Sequence, residues 1–195
     1  HTQFSRAKIS VYLKNLMELE IVEKVFSYDS EGRENTQKGI YRICNNLVDF
    51  YYTYMYPNMS RLTMDSVQNF YEEFVEKQFQ EYLARYFGKI CAQYVETLNE
   101  KDKLPFHAEE MGEWVGKVGT IDLIAQGEEK SLVVGCNWNE EKYTYEDLEW
   151  LLFCADKARV VPDYVYLFSA NGFDEKLELE ASNKKSLHLL RIKDL

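Results

Sequence analysis

The sequence predicts an α+β protein built around a mixed central sheet. Apolar residues recur at three- and four-residue steps over long stretches, which marks amphipathic helices. Other stretches are short and β-branched or aromatic, bounded by Gly, Asn and Asp, which marks strands. From residue 67 onward the two patterns follow one another as helix, two or three strands, helix, strand, helix, strand. Strands joined by a tight turn pair antiparallel, and strands separated by a helix pair parallel, so one sheet holds both kinds. With 46% hydrophobic and 15% aromatic residues the chain has enough apolar surface for a real core and is not a disordered segment.

Taken in order, SRAKISVYLKNLMELEIV places Ile9, Leu13, Leu16 and Met17 on one helical face, with Arg6, Lys8 and Lys14 elsewhere on the surface. VEKVFSYD and GIYRIC read as strands flanking the polar turn SEGRENTQKG. A helix followed by a two-stranded wing is the second half of a winged helix-turn-helix. In that motif the helix enters the major groove and the wing touches backbone, so Arg6, Lys8 and Lys14, with Arg33 and Lys38 on the wing, are the candidate DNA contacts. Residues 45–56, NNLVDFYYTYMY, form an aromatic helix that Pro57 is expected to end, and its rings are read as interdomain core. PNMSRLTMDS then reads as a polar stretch.

A long helix is predicted from Val67 to Leu98, with Gly88 as the position where it would kink or divide. WVGKVGTIDLIA and SLVVGCNW have strand character and flank QGEEK as a hairpin turn. Thr144 is an N-cap with Asp147 three residues on, opening a helix whose Leu148, Leu151, Leu152, Ala155 and Ala158 share a face. DYVYLFS is a strand, FDEKLELEA a short helix and SLHLLRI a closing strand. The resulting boundaries are 1–45 for a partial winged helix-turn-helix, 46–66 for a helical connector and 67–195 for an α/β domain.

Charge and cysteine usage narrow the function classes. Of 23 Lys/Arg and 33 Asp/Glu, seven and six lie in residues 1–45, net +1, leaving 16 and 27, net −11, in the remainder. An acidic surface repels phosphate, so any nucleic-acid contact belongs to the first segment. Cys44, Cys91, Cys136 and Cys154 show no Cys-x-x-Cys spacing and no His at ligand distance, which predicts neither a zinc site nor a disulfide framework and fits a reducing cytoplasm. Cys136 is read as a buried, inert thiol, and His107 and His188 are too isolated to be catalysts. No apolar stretch approaches the roughly 18 residues of a membrane span. GEWVGKVGT fails the phosphate-loop template, since three residues rather than four separate its glycines and Val118 stands where Ser or Thr is needed. The chain opens at His1 with no Met, so it is expected to be a fragment of a longer protein.

The helix, strand, strand, helix, strand order with Asp122 on its hairpin resembles the restriction-endonuclease-like, or PD-(D/E)XK, nuclease fold. The wider series of SRAKISVYLKNLMELEIVEKV, GIYRICNNLVDFYYTYMYPN, GTIDLIA, VVGCNW and YLFSANGFDEKL resembles the C-terminal half of archaeal-type ATPases that also occur in bacteria. In those proteins an AAA-like nucleotide-binding domain precedes a winged helix and a nuclease-like domain. The resemblance implies residues 67–195 as the nuclease-like domain and an upstream ATPase domain of the same protein as partner. It also implies a metal site in which an Asp on one strand and a Glu-x-Lys on the next hold Mg²⁺ and stabilise developing charge. Members carry Phe-Glu on the first long helix, Glu-Ile-Asp on the first hairpin strand and Glu-Cys-Lys-Trp on the second. Here these are Phe79-Gln80, Thr120-Ile121-Asp122 and Gly135-Cys136-Asn137-Trp138, so only Asp122 keeps its charge. Asp122, Gly135, Asn137 and Gln80 are therefore expected to form a vestigial site, and no cofactor is expected.

The leading reading is a non-catalytic C-terminal module of such an ATPase that binds or regulates through protein or DNA. One alternative is a Mg²⁺-dependent DNA endonuclease in which Asp122 works with displaced carboxylates such as Glu81, Glu128 or Glu129. Another is a DNA-binding regulator acting through the winged helix.

Overall fold

The computed structural model describes residues 4–28 and 39–195. They form an α+β protein with a small antiparallel sheet and a five-stranded mixed sheet. The chain separates into two compact units. One runs to Phe26 and resumes through Gln78; the other takes Ser27 and Tyr28 with Phe79–Leu195.

In the first unit, helix α1 (Arg6–Glu18) starts where the Ser5 hydroxyl accepts from the Lys8 amide at 3.4 Å. Ile9, Leu13, Leu16 and Met17 are the half-buried residues of this helix, as their spacing predicts, and none is fully buried. Strands β1 (Val22–Val25) and β2 (Ile40–Ile43) pair antiparallel, Val22 opposite Ile43 and Val25 opposite Ile40. Asn45 then caps α2 (Asn46–Phe50) by accepting from Val48.

Pro57 does not end this helix. The backbone widens into a π-helical turn at Tyr51–Met55, passes through a 3₁₀ turn at Tyr56–Asn58 and continues as α3 (Met59–Met64). A proline ring clashes with the carbonyl four residues back and offers no N–H, and a widened turn relieves both problems. The Asn58 side-chain amide supplies a donor to the Tyr54 carbonyl at 2.9 Å. PNMSRLTMDS is therefore mostly helical. The break comes instead at Asp65 and Ser66, where the Ser66 hydroxyl caps α4 (Val67–Phe70).

A second π turn at Tyr71–Val75 leads into α5 (Glu76–Glu100). The irregularity expected at Gly88 is absent: α5 runs unbroken across it. The second unit's sheet has the order β3 (Glu110–Val115), β4 (Thr120–Gln126), β5 (Ser131–Asn137), β6 (Tyr164–Ser169), β7 (Leu187–Arg191). Of the two or three strands the sequence allows here there are three: WVGKVGTIDLIA supplies parts of two, folded at Gly116–Gly119, where the Gly116 amide donates to the Gly119 carbonyl at 2.9 Å. The β3–β4 and β4–β5 pairs are antiparallel, β5–β6 and β6–β7 parallel. Helices α6 (Tyr145–Lys157) and α7 (Glu175–Asn183) make the two crossovers, capped by a Thr144–Asp147 capping box and by Asp174.

Alternate residues of the buried strands feed two cores. Ile124, Val133 and Leu167 pack with Leu151, Ala155 and Leu177 on the α6–α7 side, while Leu132, Val134 and Phe168 pack with Phe87, Cys91 and Val95 on the α5 side. On α6 the buried face is Leu148, Leu151, Cys154 and Ala155. Leu152, expected inside, is 39% exposed, because it lies at the edge of this face, about 40° beyond Leu148 and about 160° from Cys154 around the helix.

Candidate functional site

Asp122 sits where the hairpin comes apart. On one side, Gly112 and Trp114 of β3 face Ile124 and Ile121, so β4 carries an extra residue across from β3. On the other, the β4–β5 ladder runs only from Gln126–Ser131 to Leu123–Val134. Past that point the strands diverge and the Cys136 amide lacks a ladder partner. The Asp122 carboxylate takes that place, accepting the Cys136 N–H at 2.9 Å. Its other oxygen faces α5, where a Cβ on Gly88 would come within 2.8 Å of Oδ1. Gly88 is thus the notch in a continuous helix that admits the carboxylate.

Burial pushes the Asp122 carboxyl up to about 6, against the Cys136 amide, which favours the charged form; Glu113 raises it further. The Cys136 thiol is held well above its ordinary range, first by its hydrogen bond with Cys91, then by burial and by Asp122. Tyr143 is buried beside the same cluster, and burial followed by the Asp122 charge keeps its phenol protonated. The Cys136 thiol and the Tyr143 phenol are thus held in their protonated forms.

The other motif positions converge on this end of the sheet, and each is absorbed into local structure. Gly135 looks the opposite way from Asp122, into the α6 layer: a Cβ there would stand 2.5 Å from Tyr143 Oη and 2.9 Å from a Leu151 methyl. The Asn137 side chain accepts from the Asn139 amide at 2.7 Å and donates to the Glu141 carbonyl at 3.5 Å, closing the turn after β5. Gln80 Oε1 accepts the Trp138 indole N–H at 2.9 Å, and the Trp138 ring leans on Phe87 at 5.2 Å. The carboxylates proposed as substitutes are elsewhere. Glu128 and Glu129 are exposed on the turn beyond Gln126, at least ~13 Å of strand from Asp122. Glu81 is exposed on α5. Among the described residues no group of three His, Cys, Asp or Glu is placed to hold a metal, and a Mg²⁺ cage of oxygen ligands does not fit what surrounds Asp122.

Residues 51–148, which take in α5, Asp122, Gly135 and Asn137, match DUF234, a family of archaeal and bacterial proteins of unknown function. The chain belongs to this family. An uncharacterized protein of Methanocaldococcus jannaschii is 31% identical to it over 141 residues, which is 71% of this chain and 31% of that relative, so the chain spans about a third of the relative's length. No solved structure matches it.

The remaining predicted residues of this DUF234 chain do not gather into one site. On α1, Lys8 lies over the Phe4 ring at 4.4 Å and the Tyr12 ring at 5.8 Å, and Lys14 is 3.8 Å from Glu18. Arg6, Lys8 and Lys14 are all exposed, but at about 100° per residue Lys8 stands roughly 160° from Arg6 and 120° from Lys14 around the axis. Arg33 and Lys38 lie outside the described residues. His107 is exposed, 3.8 Å from Asp102, while the His188 ring tilts against Tyr166 with centroids 4.6 Å apart and has its pKa lowered by burial. No helix of the described residues is long and apolar enough to cross a membrane. Sequence reasoning missed Gly88 and Tyr143 as the two groups that shape the site. A glycine mid-helix was the available signal for the first; nothing local marks the second.

Proposed function

We propose that this chain is a non-catalytic binding module of a longer, ATPase-type protein, in which a nuclease-like domain has become a scaffold for protein or DNA partners. The observation that carries this is Gly135. Where a metal-binding Glu would start its side chain, the space is filled by Tyr143 and Leu151. Asn137, Gln80 and Asp122 reinforce the reading, since each is engaged in a hydrogen bond that holds the fold. The third of the length shared with the Methanocaldococcus jannaschii relative supports an additional domain in that protein. The division into a partial winged helix, a connector and a nuclease-like domain belongs to this proposal. The test is incubation with supercoiled plasmid in Mg²⁺ or Mn²⁺ beside an Asp122→Ala control. The expected result is no cleavage by either protein, and nicking that disappears with Asp122 overturns it.

A second reading, DNA binding through α1, is favoured by the exposure of all three cations on a helix with no fully buried residue. It predicts salt-sensitive duplex binding that Lys8→Glu weakens, and it fails if no binding is measured at low salt.

A further inference from the structure

Helix α6 carries a second face that lies outside the core, touching the rest of the chain where Glu146 is 3.6 Å from Lys176 of α7 and where the Trp150 ring edge approaches the turn at Gly119. Opposite its buried residues runs a stripe of Glu146, Trp150, Phe153 and Lys157, within about 60° of one another around the helix. Trp150 is 54% and Phe153 41% exposed, with ring centroids 5.4 Å apart, and the Lys157 ammonium lies 4.7 Å from the centre of the Phe153 ring. An exposed Trp beside an exposed Phe is unusual on a surface with nothing to bind, and Trp is enriched at the centres of protein interfaces.

The spacing of the stripe identifies what covers it. Glu146 to Trp150 is four residues, Trp150 to Phe153 three, and Phe153 to Lys157 four. Read backwards the spacing is the same, with acid exchanged for base and one aromatic for the other. We propose that this face pairs with the same face of a second copy of the chain, the two α6 helices packing antiparallel about a two-fold axis. Glu146 then meets Lys157 of the second copy, and Trp150 meets its Phe153. Each contact occurs twice, as a two-fold interface requires. The net charge of −10 on each chain works against self-association at low ionic strength and is screened beyond ~10 Å at 0.1 M salt. A single helix of 13 residues is a small interface, so the dissociation constant is expected on the order of 10 µM.

Sedimentation equilibrium of the chain from about 1 to 200 µM tests this. The expected result is a reversible monomer–dimer equilibrium that Trp150→Ala weakens more than tenfold. Glu146→Lys and Lys157→Glu are each expected to weaken it by roughly tenfold, and the double swap to restore it to within about threefold of the original. Both charged side chains are exposed, and within the chain Glu146 lies 3.6 Å from Lys176 and Lys157 3.1 Å from Asp156, exposed pairs that contribute little; unchanged circular dichroism separates lost pairing from lost fold, and a loss of folding cannot mimic rescue by the double swap. A chain monomeric throughout overturns the proposal, whether or not it binds a Lys-rich helical peptide through Trp150. So does a dimer that survives Trp150→Ala, or a double swap no tighter than the single ones.

Discussion

The two units of this chain keep their apolar residues in different ways. The sheet unit has a dry core, with Ile124, Leu132, Val133, Val134, Leu167 and Phe168 wholly buried between helical layers, and leaves Trp150, Phe153, Val161 and Leu179 at its surface. In the unit ending at Gln78, the fully buried apolar residues among those described are Val22, Tyr54, Phe70 and Val75, while Tyr12, Leu19, Leu47, Tyr56, Met64 and Val67 lie exposed. The contrast separates residues that make the fold from residues whose packing is unused within it. The motif positions Asp122 and Gly135 belong to the first kind, although the sequence marks them as chemistry.

That contrast breaks most visibly if the motif is restored. Gly135→Glu forces a carboxylate into the space of Tyr143 and Leu151, and is expected to destabilise the chain by about 3–5 kcal/mol in denaturant unfolding. Tolerance of this change would mean the site is open. Next comes pH. The folded Asp122 carboxyl titrates near 6 and the unfolded one near 4, so the folded state binds more protons between them. Stability therefore falls as pH rises from roughly 4 to 6 and is flat above, by up to about 3 kcal/mol, and Asp122→Asn removes that part of the slope. Stability curves at several pH values for both proteins check it.

Gly88→Ala comes third. The added methyl meets Asp122 Oδ1 at 2.8 Å, with an expected loss of about 1–2 kcal/mol. In an Asp122→Ala background the same change should instead stabilise by roughly 0.5–1 kcal/mol, because alanine is the better helix former and the clash is gone. A double-mutant cycle in thermal unfolding decides it. The smallest effect is at Leu47 in the other unit. Leu47→Ser is expected to stay within about 0.5 kcal/mol by denaturant titration, since the side chain is 77% exposed. A larger loss would show that this face is packed after all.

Most of the sheet unit was legible because its signals are local. Thr144 and Asp147 are close enough to announce a capping box, and SLVVG is too continuously apolar for anything but a central strand. The turn at Gly116–Gly119, which decides for three strands where the pattern allows two or three, is weakly marked because β-branched and aromatic residues continue on both sides of it. Pro57 misled because the relief it needs, a π turn and the Asn58 amide, depends on backbone geometry that no residue type encodes. At the site, the lost Glu and Lys could be read from single letters. The reason they cannot be tolerated could not, because Tyr143 and Leu151 reach Gly135 from another element.

The mixed sheet also sets an order in time. Strands β3, β4 and β5 are joined by two short turns, so their pairing closes small loops. Leu132 meets Tyr164, and Val165 meets Leu187, only after a helix has been laid across each gap. The antiparallel half can therefore zip as soon as it is synthesised, whereas the parallel half waits for α6 and α7 and sets the folding rate. Until then β5, whose first five residues are all buried in the finished sheet, presents one open edge, and that interval is when the chain is most exposed to aggregation.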